Sequence, residues 1–189
     1  MKIVFGLGNP GEKYRGTRHN VGADVINRLA ARAGIELRRK WRMRACVGRM
    51  RIGDHAVTVA TARTFMNLSG ATAAALLRWQ ECDPEDLLVV SDDIALELGR
   101  IRIRREGSSG GHKGLESIIG ALGTDNFARL RIGVGRAGED WVGHVLGKFS
   151  RQEKRFVEGA MDMAVSAIDE IVVSGLDAAM NKFNSMVEG

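Results

Sequence analysis

Several spacings in this chain look capable of chemistry, and each fails on its context. Gly6, Gly8 and Gly11 in "GLGNPG" match G-x-G-x-x-G after the strand-like "KIVFGL", the pattern of a dinucleotide loop. That loop needs a helix to begin at its glycines, so that free N–H groups face pyrophosphate. Here Pro10 removes one N–H, "EKYRGTRHN" has no apolar helical period, and the first helical pattern starts near Asn20. The acidic residue that should follow about 20 positions on is also poorly placed, since Asp24 is too early and Glu36 lies in a basic stretch. "GSSGGHKG" (107–114) brings glycines to Lys113, and "LLVVSDD" imitates a strand ending on a magnesium-holding Asp. A P-loop, however, needs Gly where His112 stands and Ser or Thr where Gly114 stands, and the pieces come in the wrong chain order. Gly107 to Gly111 satisfies G-x-S-x-G literally around Ser109. A nucleophile elbow follows a buried central strand, whereas "RIRIRRE" carries arginine at alternate positions, so one of its faces is wet. His19, His55, His112 and His144 show no metal-ligand spacing. No cofactor and no metal is expected.

Three polar features remain that core packing does not explain. Asn9 and His19 bracket the segment between the first strand and the first helix; Asp92 ends an apolar strand; Asn67, in "FMNLSG", lies just ahead of a helix. Strand C-terminal ends are where α/β sheets place ligands, on loops held by a rigid scaffold. Each residue also has a plain structural explanation: Asn9 as a turn former, His19 as a helix cap, Asp92 as a turn initiator, Asn67 as an Asx-turn residue. Basic rows flank them. Arg100, Arg102 and Arg104 share one strand face, with Ile101 and Ile103 on the other, and the same alternation puts Arg129 and Arg131 on an exposed face of "ARLRIG". One such strand reads as a solvated sheet face. Two of them, beside a glycine-rich loop carrying His112 and Lys113, point to a groove for a polyanion. Tyr14, the only tyrosine, and Phe65 offer ring faces to a terminal base.

The elements that must position these groups follow from periodicity. Residues 2–7 read as a buried strand. Residues 20–33 place Val21, Val25, Ile26, Leu29 and Ala33 on one helical face, with Gly34 as the stop. "ACVGRMRIGDHAVTVA" reads as a hairpin turning near Gly53-Asp54. "SGATAAALLRWQE" is helical with Ser69 as N-cap, "GLESIIGAL" is a short helix, and "DLLVVSDD", "GRIRIRR" and "ARLRIGVG" are strands. A long helix over 151–173 follows the capping box Ser150-x-x-Glu153, and a last helix over 176–187 shows Leu176, Met180, Phe183 and Val187. With no repeat or linker, residues 1–189 read as one α/β domain. The hairpin breaks strict βαβ alternation, so the twisted sheet should be mixed, with helices on both faces.

Composition sets outer bounds. The chain is 44% hydrophobic, enough for a sizeable core, without the run of about 18 apolar residues that a membrane span needs. It enters its first strand with no signal-peptide h-region. Cys46 and Cys82 form neither a disulfide framework nor a C-x-x-C motif, so a cytoplasmic location is expected. The net charge is +5, carried by 21 arginines against 7 lysines. Guanidinium forks match phosphate oxygens better than ammonium groups do, but net charge speaks only loosely to partners.

Taken together, "GLGNPGEKYRGTRHNVG", "TFMNLSG", "DD" after the apolar strand, "GSSGGHKGL", "FARLRIGVG" and "VLGKF" resemble the bacterial-type peptidyl-tRNA hydrolase family, in order and spacing, from Ile3 to about Asn181. The resemblance implies a metal-independent enzyme that cleaves the ester between a peptide's C-terminus and the 3′-terminal ribose of tRNA. It makes His19 the general base that activates water, and Asp92 the acceptor that fixes its tautomer. Asn9 and Asn67 match the family's cleft asparagines, and Arg104 and Arg131 its basic pair for the tRNA 5′-phosphate. The implied partner is peptidyl-tRNA, through its acceptor stem and 3′ CCA end, with no DNA and no membrane; the implied state is a monomer. One departure stands out. Where many members have Asn after the loop histidine, this chain has Lys113. Lysine donates but cannot accept, so either the attacking water is held differently or Lys113 faces tRNA phosphate. The rival reading is a non-catalytic RNA-binding relative of the same fold.

Overall fold

The computed structural model describes residues 1–138 and 140–185. Its seven strands are β1 (Ile3–Gly6), β2 (Arg38–Lys40), β3 (Ala45–Ile52), β4 (His55–Ala62), β5 (Leu87–Asp93), β6 (Ile101–Arg104) and β7 (Ala128–Gly133). They form one sheet in the order β2-β3-β4-β1-β5-β7-β6. The central strands β4, β1, β5 and β7 run parallel, while β2, β3 and β6 pair antiparallel at the edges. The sheet is therefore mixed, as the hairpin required.

Helices cover both faces. Val4, Val59, Leu88, Val90 and Ile132 point to one side, packed under α1 (Val21–Arg32), α5 (Arg151–Val173) and α6 (Leu176–Phe183). Ile3, Phe5, Val89 and Ala60 point to the other, under α2 (Ser69–Gln80) and α3 (Lys113–Leu122). This is the alternation of strands buried on both faces, and every residue of β1 and β5 is buried. Parallel pairing puts the C-terminal ends of β4, β1, β5 and β7 along one edge, where the connection leaving β1 goes one way and that leaving β4 crosses to the other. Such a switch point opens a crevice.

The glycines of "GLGNPG" serve helix approach rather than a cofactor. A Cβ on Gly6 would stand 2.3 Å from the Gly22 carbonyl oxygen, and one on Gly22 would stand 2.2 Å from the Val90 oxygen. The close approach lets the Ala23 N–H donate to Leu7 O at 2.8 Å, so the start of α1 is already committed to β1. Gly11, at φ 104°, supplies a turn that other residues resist.

Several expectations need correction. Arg129 is not on an exposed face: it is 2% exposed, its guanidinium lies over the Phe127 ring and donates to the Asp125 and Phe127 carbonyls. Ser69 does not cap α2. A 3-10 turn over Met66–Leu68 runs straight into the helix, and the Gly70 N–H is satisfied by Ser117 Oγ across the α2–α3 contact. Ala33 is exposed at the end of α1, and α6 stops at Phe183; Val187 lies outside the described residues. The short β2 had no apolar period to announce it, and α4 (Trp141–Leu146), with apolar residues at 141, 142, 145 and 146, is too short for its period to stand out. The Ser150–Glu153 capping box is formed in both directions.

Candidate active site

Two segments far apart in sequence meet at the crevice. Asp92 is the penultimate residue of β5, nearly enclosed by the sheet. His19 sits in a 3-10 turn, Arg18–Asn20, that leads into α1. Arg18 pins that turn: its backbone N–H donates to Gly147 O at 3.0 Å, and its guanidinium donates to Lys148 O and to both Glu153 carboxylate oxygens at 2.8 and 2.9 Å. Glu153 in turn accepts the Ser150 backbone N–H, and this bond with Arg18's holds its carboxyl down to about 2. The backbone under His19 is thus tied to the start of the longest helix.

His19 Nδ1 lies 2.8 Å from Asp92 Oδ1 and 3.0 Å from Oδ2. Its other nitrogen, Nε2, has no hydrogen-bond partner among the described residues, and the ring lines a cavity of about 250 Å³. His112, the N-cap of α3, shares the same carboxylate. Its Nδ1 accepts from the Gly114 and Leu115 backbone N–H groups, so its proton must be on Nε2, which donates to Asp92 Oδ1 at 2.9 Å. Burial pushes the Asp92 carboxyl up, but His112 first and then His19 outweigh it and hold Asp92 well below the usual carboxylate range. The sequence reading placed His112 in the loop and missed this contact; its position just before a helix was the available signal.

These three side chains converge enough to hold a cation, with donor atoms within 4.8 Å of one another. The protonation pattern argues against that use. A nitrogen that ligates a metal needs its lone pair, and His112 Nε2 carries the proton.

Lys113 and Arg131 line the same cavity, with Trp141 and Val145 of α4 as another wall. The Lys113 ammonium is 3.0 Å from Glu116, one turn further along α3. Arg131 is ion-paired at 2.7 Å with Asp93, whose other oxygen accepts the Ala95 N–H. Adjacent aspartates therefore divide the work between the histidines and the arginine. Arg104 is exposed on edge strand β6, on the face shared with Arg131.

The asparagines fall outside these walls. Asn9 borders a neighbouring cleft with Arg15, Asn20 and Arg63. Its Oδ1 accepts the Met66 N–H at 2.8 Å, which fixes the amide and leaves Nδ2 to donate. Asn67 is exposed. Tyr14 and Phe65 stand together edge to face, with ring centroids 6.3 Å apart, and Phe65 is 54% exposed.

Among the described residues no helix is long and apolar enough to cross a membrane. A model of the family described as peptidyl-tRNA hydrolase matches residues 3–188. The peptidyl-tRNA hydrolase of Alkaliphilus metalliredigens is 46% identical over 185 residues, covering 97% of this chain and 100% of that one. That of Desulforudis audaxviator is 48% identical over 185 residues, covering 98% and 94%. A solved structure of peptidyl-tRNA hydrolase from Acinetobacter baumannii superposes with a TM-score of 0.93 at 36% identity, covering 98% of this chain and 95% of that one. The geometry at His19 and Asp92 therefore sits in a chain whose likeness is end to end, and the chain belongs to the peptidyl-tRNA hydrolase family.

Proposed function

We propose that this protein hydrolyses the ester that joins a peptide to the 3′-terminal ribose of tRNA, with His19 as general base. The observation that carries the proposal is the short contact between His19 Nδ1 and Asp92, which leaves Nε2 as the lone pair open to the cavity. Water attacks the ester carbonyl and gives one proton to His19 Nε2. Asp92, accepting from Nδ1, stabilises the imidazolium. The tetrahedral species then expels the ribose oxygen, which takes that proton back, yielding a free peptide carboxyl and tRNA. No acyl-enzyme is needed, because the ester has an adequate leaving group.

Asn9, with Oδ1 engaged by Met66, offers Nδ2 to a substrate oxygen. Asn67, exposed and next in sequence to Met66, offers both halves of its amide. Tyr14 and Phe65 present an aromatic corner to the terminal base. Arg104 and Arg131 take the 5′-phosphate, and Lys113, already on the cavity wall, adds positive charge near it. The protein would work as a cytoplasmic monomer.

The test is release of a labelled peptide from peptidyl-tRNA with a chelator present. Multiple turnover is expected. Tight binding without turnover would make the protein a non-catalytic RNA-binding relative, and turnover abolished by the chelator would remove the metal-independent mechanism. Arg131→Ala is expected to shrink the preference for substrates bearing a 5′-phosphate by roughly tenfold, the worth of a charge-assisted hydrogen bond. If phosphorylated and unphosphorylated substrates slow equally, Arg131 is not part of a clamp.

A further inference from the structure

The opposite edge of the sheet from Arg104 carries a second basic surface that the proposed reaction does not use. The segment "RRKWRMR", residues 38–44, puts five cations into seven positions, and all three residues of β2 are exposed. Arg49 and Arg78 add exposed guanidiniums from β3 and α2. Among the described residues, Arg38 alone in this group has a carboxylate within ion-pair distance, Glu36 at 3.9 Å. Charged residues on an edge strand also guard against strand addition. That explanation does not cover Trp41, which is 72% exposed, or Trp79, which is 38% exposed. Arg39 lies over the Trp41 ring at 3.2 Å and Arg49 over Trp79 at 4.7 Å. A shallow groove runs between the two indoles, bordered by Lys40, Arg42 and Arg78. Arg44, two residues beyond Arg42, has a left-handed conformation, φ 50°, which a side chain adopts at a cost.

We propose that this edge binds an unpaired RNA segment, separate from the tRNA whose ester is cleaved. A base stacks on the open face of Trp41 and its flanking phosphates lie along Lys40, Arg42 and Arg44. An exposed indole flanked by unpaired guanidiniums suits bases and phosphates together; an acidic protein would satisfy the arginines and leave the indole face without a partner. A duplex hides its base faces, so the segment is single-stranded. It is a different RNA from the substrate because of placement. The edge lies three strands from β1 on one side, and the Arg104 strand lies three strands away on the other. At ~4.8 Å per strand the two basic surfaces are roughly 29 Å apart, with the cleft between them. A 5′-phosphate held at Arg104 and Arg131 keeps the substrate's duplex on the far flank.

The experiment is fluorescence anisotropy of a labelled oligouridylate of about 12 nucleotides, alongside peptidyl-tRNA hydrolysis by the same proteins. Binding should weaken about tenfold in Trp41→Ala and return in Trp41→Phe. The double variant Lys40→Ala/Arg42→Ala should flatten the slope of log affinity against log salt by about 1.4, two phosphates' worth for a single strand. Hydrolysis constants should stay at wild-type values in all three, and the oligonucleotide should not compete with substrate. No binding at low salt, or unchanged binding in Trp41→Ala, overturns the proposal. A raised KM for peptidyl-tRNA, or competition, assigns the surface to the substrate and overturns it too. So does a polyglutamate peptide that binds equally well with the same dependence on Trp41, since that marks an acidic protein partner.

Discussion

His19→Ala is expected to lose nearly all hydrolysis, on the order of 10²–10⁴-fold, while peptidyl-tRNA still binds. The rate falls because, among the described residues, nothing nearby can take over as base. His112 is the obvious substitute, with its ring centroid 4.8 Å from that of His19. Yet its Nδ1 accepts two backbone N–H groups and its Nε2 donates to Asp92, so neither nitrogen has a lone pair free for water. Asp92 is too weak a base to replace His19: His112, which remains, still donates to its carboxylate and holds it well below the usual carboxylate range. Binding survives because the turn carrying His19 is held by Arg18 and the backbone, not by the imidazole. Single-turnover rates beside a binding titration separate the two effects. Wild-type-like turnover would take His19 out of the mechanism. A residual rate that disappears on further removal of His112 would show that His112 has a free lone pair after all.

How much of this was legible depends on the kind of contact. Strands buried on both faces announced themselves: "IVFG" and "LLVV" are apolar throughout, and Gly53-Asp54 marks the hairpin turn between β3 and β4. The Ser150 capping box is a local exchange of two hydrogen bonds, so four residues specify it. Alternation located the arginines of β7 correctly on one face, but it cannot say what covers that face. Phe127 and two nearby carbonyls close over Arg129 and leave Arg131 facing the cavity. The same limit applies to Asn9. Its place after β1 put it on the functional edge of the sheet, whereas the side of the crevice it borders depends on the loop it holds, through Met66. β2 is three charged residues paired to β3, and no apolar pattern marks a strand whose partner supplies its order. His112 was visible as a polar residue before a helix; that its second nitrogen reaches β5 is a fact of how α3 lies against the sheet.

Asp92→Asn is expected to cost on the order of 10²-fold or more in turnover, and the reason lies in a conflict over one acceptor. Asp92 Oδ1 accepts from both His112 Nε2 at 2.9 Å and His19 Nδ1 at 2.8 Å, and Oδ2 reaches His19 Nδ1 at 3.0 Å. His112 cannot change its tautomer without abandoning the Gly114 and Leu115 N–H groups at the start of α3. An amide at position 92 must therefore point its single oxygen at His112, which brings its NH₂ to His19. The NH₂ can only donate and stands at the Oδ2 place, 3.0 Å from His19 Nδ1, so it repels a protonated Nδ1 and draws the His19 proton to Nε2. The nitrogen facing the cavity then has no lone pair for water. Charge is lost as well, so whatever imidazolium forms is less stabilised. The substitution preserves volume in a site that is almost fully enclosed, so binding and the thermal transition should change little compared with kcat. Steady-state kinetics at saturating and limiting substrate separate these effects. A loss below threefold would mean that Asp92 does not set the tautomer of His19. A second variant sharpens the test: in Asp92→Asn/His112→Ala the amide oxygen is released from His112 and can turn to His19 Nδ1, so activity should rise above that of Asp92→Asn alone. A double variant slower than the single would place the shared acceptor outside the mechanism and leave the lost charge as the cause.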